Sequence, residues 1–329
     1  MNQKITLRSR PSTEVSTDDF LLHCEPIHAL QNGDVLVANK LISLDPYVRG
    51  RMLDRPSYAP AIQIGETIIG EAIGEVIESR SNVYKVGDSV IGMMGWQTHA
   101  VIHETRVRLL PSAVIPPSWF LGAAGLTGIT AWLGIHDICK PAASETVLVS
   151  SAAGSVGSIA GQLARIQGAR VIGLAGTDEK CQYVQDRLHF QHCFNYRSAN
   201  WMSELAETTP QGIDCLFENV GGVAFDSVLE KMNAFSRIAL CGLIAEGLGD
   251  YGHSINLRRL LTHRILLKGF IASDHTDRWR EIQMQLIELL ESGKIVADES
   301  ITDGIENTPT AFISMLHGGN LGKALVRLK

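Results

Sequence analysis

The chain has 329 residues, 45% of them hydrophobic, with 31 glycines and a formal net charge of −6 at pH 7. That is long enough for two domains and too apolar for a disordered or collagen-like chain. A sequence pI near 6.0 leaves no basic surplus to neutralise a nucleic-acid backbone or an anionic membrane, so the expected partner is a small-molecule substrate.

The N-terminus, MNQKITLRSRP, has neither an apolar core nor a cleavage site, and no apolar run is long enough to span a bilayer. Cys24, Cys139, Cys181, Cys193, Cys215 and Cys241 are scattered, without C-x-x-C or paired spacing. Both features predict a cytoplasmic protein with reduced thiols. Up to Ser118, short alternating runs such as 35–42 and 74–78 are separated by Gly, Pro, Asn and Asp, and 86–92 and 95–100 give further strand signals. They predict a small irregular β barrel. Pro116 and Pro117 mark a boundary, after which residues 121–138 take the small-residue, helical period of a helix crossing between domains. The predicted division is 1–118 for a β-rich substrate domain, 119–294 for a nucleotide-binding domain, and 295–329 for a return to the first.

Residues 146–175 read as strand, tight turn, helix and second strand. The turn from Ala152 to Gly157 is an A-x-G-x-x-G variant of the glycine fingerprint. Gly154 lets the backbone approach a pyrophosphate and Gly157 lets the helix lie close on the sheet. The helix opening with Ser155 and Val156 aims its N–H groups at the anion. Ala152 stands where the first glycine usually stands, which predicts a turn of slightly different shape. A purely structural βα turn is the alternative, but the flanking strand and helix favour a dinucleotide. An NAD site places Asp or Glu at the end of the second strand, whereas this chain has Gly176-Thr177-Asp178-Glu179-Lys180. Lys180 supplies a charge and Thr177 a hydroxyl for a 2′-phosphate; an ordinary surface lysine on a helix is the other reading of Lys180, and the missing acid makes NADP the predicted cofactor.

Beyond Lys180 the pattern predicts a helix to about 188, a strand at 192–195, a polar helix, and strands at 213–217, 237–241 and 265–271. A helix over 277–292 follows, and from 295 the tail reverts to short strand-like pieces. The strand ends at 218–222, 242–244 and 269 are where a parallel sheet would hold a nicotinamide ring.

With these segments in place, the chain resembles the zinc-independent medium-chain dehydrogenase/reductases, in the branch of the prostaglandin or leukotriene reductases, 2-alkenal reductases and curcumin reductases. The resemblance runs nearly the full length. Its carriers are residues 43–49 (SLDPYVR), 152–157, 176–180, 194–196 (FNY), 218–222 (ENVGG), 269–271 (GFI) and 319–323 (GNLGK). It implies an α/β fold in which a doubly wound parallel Rossmann sheet is joined to a β-rich, GroES-like catalytic domain. It also implies Lys180 and Tyr196 at the adenosine 2′-phosphate, with Asn219, Cys241, Gly242, Leu243, Ile244, Phe270, Ile271, Ala272 and Asn320 lining the cofactor, and a homodimer. Read alone, Asn219 and Asn320 are also consistent with turn residues, and Tyr196 with a half-buried strand end.

No metal is predicted. Catalytic zinc in the related alcohol dehydrogenases needs a Cys and a His–Glu pair, but Asp45 sits near the Cys position and Gly70-Glu71 replaces His–Glu. Residues 92–108 contain no cysteine for a structural site, and His23, His28, His99 and His103 lack ligand spacing. The branch usually has a tyrosine shortly after the Cys-Gly turn, where this chain has Gly247; either Tyr251 substitutes or nothing does. The expected activity is NADPH-dependent reduction of the C=C bond of α,β-unsaturated ketones or aldehydes, with hydride delivered to the β-carbon without metal. Tyr47 is the first candidate to donate to the carbonyl oxygen, Tyr251 the second and a cofactor ribose hydroxyl the third. A packed aromatic beside Pro46 is the other reading of Tyr47. Competing functions are a quinone reductase using the same cofactor and a non-catalytic NADP-binding redox sensor.

Overall fold

The computed structural model describes residues 1–111, 115–245 and 256–329. Its contacts divide the chain into unit 1 (Met1–Leu121, Glu299–Asn320 and Ala324–Lys329) and unit 2 (Gly122–Asp298 and Leu321–Lys323).

In unit 1, β1 (Asn2–Leu7) and β2 (Phe20–Glu25) form an antiparallel ribbon. The long β3 (Asp34–Ser43) is followed by a single helical turn and a half, α1 (Tyr47–Arg51), and by β4 (Ala72–Ser79), β5 (Ser89–Gly92), β6 (His99–His103) and β7 (Val107–Leu109). The strand expected at 95–100 starts later. Gly95 has φ +75°, a left-handed conformation that breaks a strand, so Gln97 makes only an isolated antiparallel bridge to Lys4 and regular pairing with β3 begins at His99.

Unit 2 begins with α2 (Leu126–Leu133), which widens into a π turn over Gly134–Cys139 and stops at Lys140, where φ is 43°. The single helix expected over 121–138 is therefore two pieces, preceded by a 3-10 turn at Pro117–Leu121. A Cβ on Gly134 would lie 2.3 Å from the Phe217 ring, so the backbone itself packs on that ring where the helix widens. There follow β8 (Thr146–Val149), α3 (Ser155–Ile166), β9 (Arg170–Ala175), α4 (Asp178–Asp186), β10 (His192–Asn195), α5 (Trp201–Thr208), β11 (Ile213–Glu218) and α6 (Gly222–Leu229). The last elements are β12 (Met232–Leu240), α7 (Leu257–His263), β13 (Leu266–Gly269) and α8 (Trp279–Glu291). The six strands pair in parallel in the order β10-β9-β8-β11-β12-β13. All four residues of β8 are buried, as a strand covered on both faces requires. Strand order reverses between β8 and β11, the point at which a doubly wound sheet opens a crevice at its carboxyl ends.

The tail contains β14 (Glu299–Asp303), a helix α9 (Thr308–Leu316) and β15 (Lys323–Arg327). In unit 1 the sheet order is β14-β15-β3-β4-β5-β7, with β6 paired to the first half of β3 and β15 to its end. The strand-like reading of the tail missed α9. Ala311, Phe312, Ile313, Met315 and Leu316 form a nearly continuous apolar run, which hides the helical period that buries Phe312, Met315 and Leu316. The observed boundaries also differ from those at 118 and 294. Residues 295–298 belong to unit 2 because Gln162 of α3 bonds both the N–H and the C=O of Val296, and α4 holds Asp298.

Candidate functional site

The carboxyl end of β8 feeds the glycine turn. Ser151 takes a left-handed φ of 50°, Ala152 N–H donates to Leu174 C=O at 2.9 Å, and Gly154 N–H donates to Ser151 C=O at 2.9 Å. Ala152, Ala153 and Gly154 carry nothing larger than a methyl group, which leaves the backbone approachable. Gly154 is the extended N-cap of α3 and Ser155 its first residue; the Ser155 hydroxyl donates to Thr127 at 2.8 Å. A Cβ on Gly157 would stand 2.3 Å from Ser151 C=O, so only glycine lets α3 begin this close to the strand. The alanine in place of the first glycine has a structural counterpart. A Cβ on Gly173, in the neighbouring β9, would be 2.7 Å from the Ala152 methyl, so the glycine at 173 gives that methyl its room.

The end of β9 carries no acid. A Cβ on Gly176 would meet the Tyr196 hydroxyl at 3.3 Å and the Arg197 guanidinium carbon at 3.6 Å. Thr177 caps α4, its hydroxyl oxygen accepting from Lys180 N–H at 3.3 Å while its O–H stays a donor. Lys180 is half-buried, and burial, followed by the charge of Arg197, lowers its pKa below the ordinary lysine value of 10.5. Arg197 lies over the Tyr196 ring with its carbon 5.7 Å from the centroid. Asp178 is tied down: the Asn195 side-chain amide donates to its carboxylate at 2.9 Å, and Asn195 Oδ1 accepts Arg197 N–H at 3.0 Å. Two like charges held near one another, beside a strand end that lacks a carboxylate, suit a phosphate. Arg197 was not among the residues picked from the sequence; a second cation directly after Tyr196 was the signal.

At the other strand ends the polar groups interlock. Asn219 is buried, its amide donating to Ser150 C=O at 2.7 Å and its carbonyl accepting from the Cys241 thiol at 3.1 Å. It joins β8, β11 and β12. Glu218, read from the sequence only as part of the turn that closes β11, is 2% exposed. One carboxyl oxygen accepts from Ser150 Oγ (2.9 Å), Val220 N–H (2.6 Å) and Gly221 N–H (2.7 Å). Burial raises the Glu218 pKa, opposed by those donors, and burial also pushes the Cys241 thiol up, so Cys241 remains a neutral thiol. A Cβ on Gly242 would be 2.8 Å from Asn219 C=O; Ile244 and Ala245 N–H groups bond back to Asn219 and Val220, which sets Leu243 between them, partly exposed. Phe270 N–H donates to Leu240 C=O at 3.2 Å, and its ring meets Phe217 edge-on at 6.5 Å. Ile271 is the N-cap of the 3-10 turn that begins at Ala272, which is buried.

A strap from the end of the chain also reaches the glycine turn. Gly322 N–H donates to Ala153 C=O at 2.8 Å, and Gly322 bridges Gly154 in parallel. Asn320 directly precedes this strap and belongs to unit 1.

In unit 1, Tyr47 opens α1 and is half-buried. Burial, then Asp45 and Glu71, raise its pKa well above the ordinary phenol, so the hydroxyl keeps its proton. Asp45 is buried and bonded to the Ser43 hydroxyl. A Cβ on Gly70 would be 2.9 Å from Nε1 of Trp96, which is itself fully buried against Phe20 and Phe312. A side chain at position 70 would thus meet the Trp96 indole, and Gly70 and Asp45 supply neither the imidazole nor the thiolate of a zinc ligand set. Among the described residues no group of three His, Cys, Asp or Glu side chains could hold a metal ion. Gly247 and Tyr251 lie outside the described residues.

Two family models match the chain: an N-terminal domain of oxidoreductase over residues 3–110 and a zinc-binding dehydrogenase over 155–289. The NADPH-dependent curcumin reductase of Escherichia coli (strain K12) is 37% identical, covering 99% of this chain and 97% of its own. The NADP(+)-dependent 2-alkenal reductase of Nicotiana tabacum is 36% identical over 90% of this chain and 87% of its own. Among solved structures, CurA from Vibrio vulnificus in complex with NADPH superposes with a TM-score of 0.95 at 36% identity, over 99% of both chains.

Proposed function

The chain belongs to the medium-chain dehydrogenase/reductases, in the branch of the curcumin, prostaglandin and 2-alkenal reductases, and from that membership we propose the chemistry its own site performs. It is an NADPH-dependent reductase of the activated C=C bond of α,β-unsaturated ketones or aldehydes. The observation that carries this reading is the acid-free strand end at Gly176, with Lys180, Tyr196 and Arg197 gathered beside it. Those residues are the seat for the adenosine 2′-phosphate, and the turn from Gly154 to Gly157 is the seat for the pyrophosphate. Asn219, Cys241–Ile244, Phe270–Ala272 and Asn320 line the remainder of the cofactor.

When bound, NADPH supplies the hydride that goes to the electron-poor β-carbon. Tyr47 donates a hydrogen bond to the carbonyl oxygen, where negative charge develops. Its raised pKa suits a donor that stabilises charge without surrendering its proton. The reaction runs without metal in this reading, which is supported by the lack, among the described residues, of a His, Cys, Asp or Glu group that could hold one. Tyr251 is the second candidate donor.

Two copies associate through β13, the last strand in the unit 2 sheet order. Leu266 on that strand and Leu257 and Leu261 on α7 are exposed, the last at 77%, and an exposed strand edge beside apolar side chains is a template on which a second copy can pair. Among the described residues no helix is long and apolar enough to cross a membrane. Six unpaired thiols suit the reducing cytoplasm.

The test is NADPH oxidation with enones, alkenals, quinones and no acceptor. Turnover of enones and alkenals is expected. Turnover confined to quinones assigns the quinone reductase instead, and tight NADPH binding without turnover of any acceptor assigns a cofactor-binding sensor.

A further inference from the structure

The strap Leu321–Lys323 lies on the glycine turn, and its mounting is built from residues outside the cofactor site. Lys323 N–H donates to the backbone C=O of Asp298 at 2.9 Å, so the strap hangs on that residue. A Cβ on Gly322 would be 1.8 Å from the same carbonyl, which shows how closely the two segments run. The side chain of Asp298 is gripped by α4. Tyr183 Oη donates to its Oδ2 at 2.9 Å, and Arg187 bonds both carboxylate oxygens, Nε to Oδ2 at 3.1 Å and Nη2 to Oδ1 at 3.2 Å. From α3, Gln162 holds Val296 by its N–H at 2.8 Å and its C=O at 2.9 Å. The helix that begins at the glycine turn and the helix that carries Lys180 therefore both grip the segment on which the strap is mounted.

We propose that Asp298, with Tyr183 and Arg187, is a positioning site for the dinucleotide, holding the strap Leu321–Lys323 against Ala153 and Gly154 so that the turn keeps the shape the pyrophosphate needs. The inference rests on the NADPH reading above. Arg187 pulls the Asp298 carboxyl below its ordinary range, and burial and Asp298 keep the Tyr183 phenol above its own, so the clamp stays ionised on one side and protonated on the other at neutral pH. Its action is on the pyrophosphate end. The N-terminus of α4 has independent ties, the Thr177 cap and the Asn195–Asp178 bond, so Lys180 stays in place when the clamp is cut. Loss of the clamp must then weaken NADPH and NADH by the same factor, whereas loss of Lys180 weakens NADPH alone.

The experiment is a titration of the full-length protein with NADPH and with NADH, followed by fluorescence, together with stopped-flow release of NADPH and thermal denaturation. It is run on Asp298→Ala, Arg187→Gln, Tyr183→Phe and the Arg187→Gln/Asp298→Ala double variant. Because Arg187 and Asp298 are partly exposed, the expected loss is modest: about three- to tenfold in affinity for both cofactors in Asp298→Ala, through faster release. The kcat at saturating NADPH is unchanged, Tyr183→Phe is intermediate, and the double variant is no worse than Asp298→Ala. Unchanged affinities, a loss confined to NADPH, or a loss that only follows a falling melting temperature each overturn the proposal. Should Asp298→Ala fail to fold, Arg187→Gln and Tyr183→Phe, which leave the Asp298 side chain in place, decide it by the same readings. A wild-type protein that binds neither cofactor refutes the NADPH reading itself, a result distinct from wild-type binding that the variants leave unaltered.

Discussion

At the scale of single residues, Lys180 and Tyr47 make the most direct predictions. Replacing Lys180 by Ala removes a charge-assisted hydrogen bond to phosphate, about 1.5–3 kcal/mol, so NADPH affinity falls roughly tenfold or more with NADH almost unchanged. Equal loss for both cofactors would show that the lysine does not face the 2′-phosphate. The sign of its pKa shift adds a pH signature. Lys180 is depressed below 10.5 by burial and by Arg197, so its charge is lost, as pH rises, earlier than for an ordinary lysine. NADPH affinity should therefore fall in the alkaline range while NADH affinity stays level, and Lys180→Arg should remove that fall. For Tyr47, Phe keeps the ring and deletes the donor. If the hydroxyl holds the developing charge, kcat on a good enone drops by roughly ten- to a thousandfold with NADPH binding unchanged. A shift in KM with kcat intact would reduce Tyr47 to a wall of the pocket.

At the scale of elements, the strand–turn–helix unit depends on a pair of small residues that no fingerprint contains. Ala152 in the turn and Gly173 in β9 share one space, with 2.7 Å between the alanine methyl and a Cβ built at 173. Gly173→Ala overpacks a buried strand that also faces Cys193 and Val184, and should cost about 1–3 kcal/mol of stability while weakening both cofactors. Adding Ala152→Gly should recover part of both losses. Thermal denaturation and cofactor titration of the two variants check this, and an unperturbed Gly173→Ala protein would mean that the strand yields without cost. The parallel strands of unit 2 were legible because each is a short apolar run closed by a turn residue. The helix α9 was not legible, since its apolar residues crowd together and its period emerges only when Phe312 meets Trp96 and Phe20.

At the scale of the whole molecule, two further outcomes are expected. Activity should survive prolonged dialysis against a chelator, with zinc well below one equivalent by metal analysis; loss restored by zinc alone would contradict the metal-free reading. Glutamate at Leu261 and Leu266 should convert a dimer to a monomer in analytical ultracentrifugation, and a wild-type monomer at micromolar concentration would remove the β13 interface. By itself the sequence determined the parallel sheet, the glycine turn, the preference against an acid at Gly176 and the poverty of zinc ligands, because each is written in neighbouring residues whose chemistry acts locally. Only the tertiary structure decided that Arg197 joins Lys180, that Glu218 and Ser150 lock Asn219, that Trp96 closes the space at Gly70, and that Asp298 mounts a strap on the turn. These partners lie far apart in the chain or on different strands, and buried polar groups must find hydrogen bonds wherever folding brings them, a pairing that no local pattern encodes.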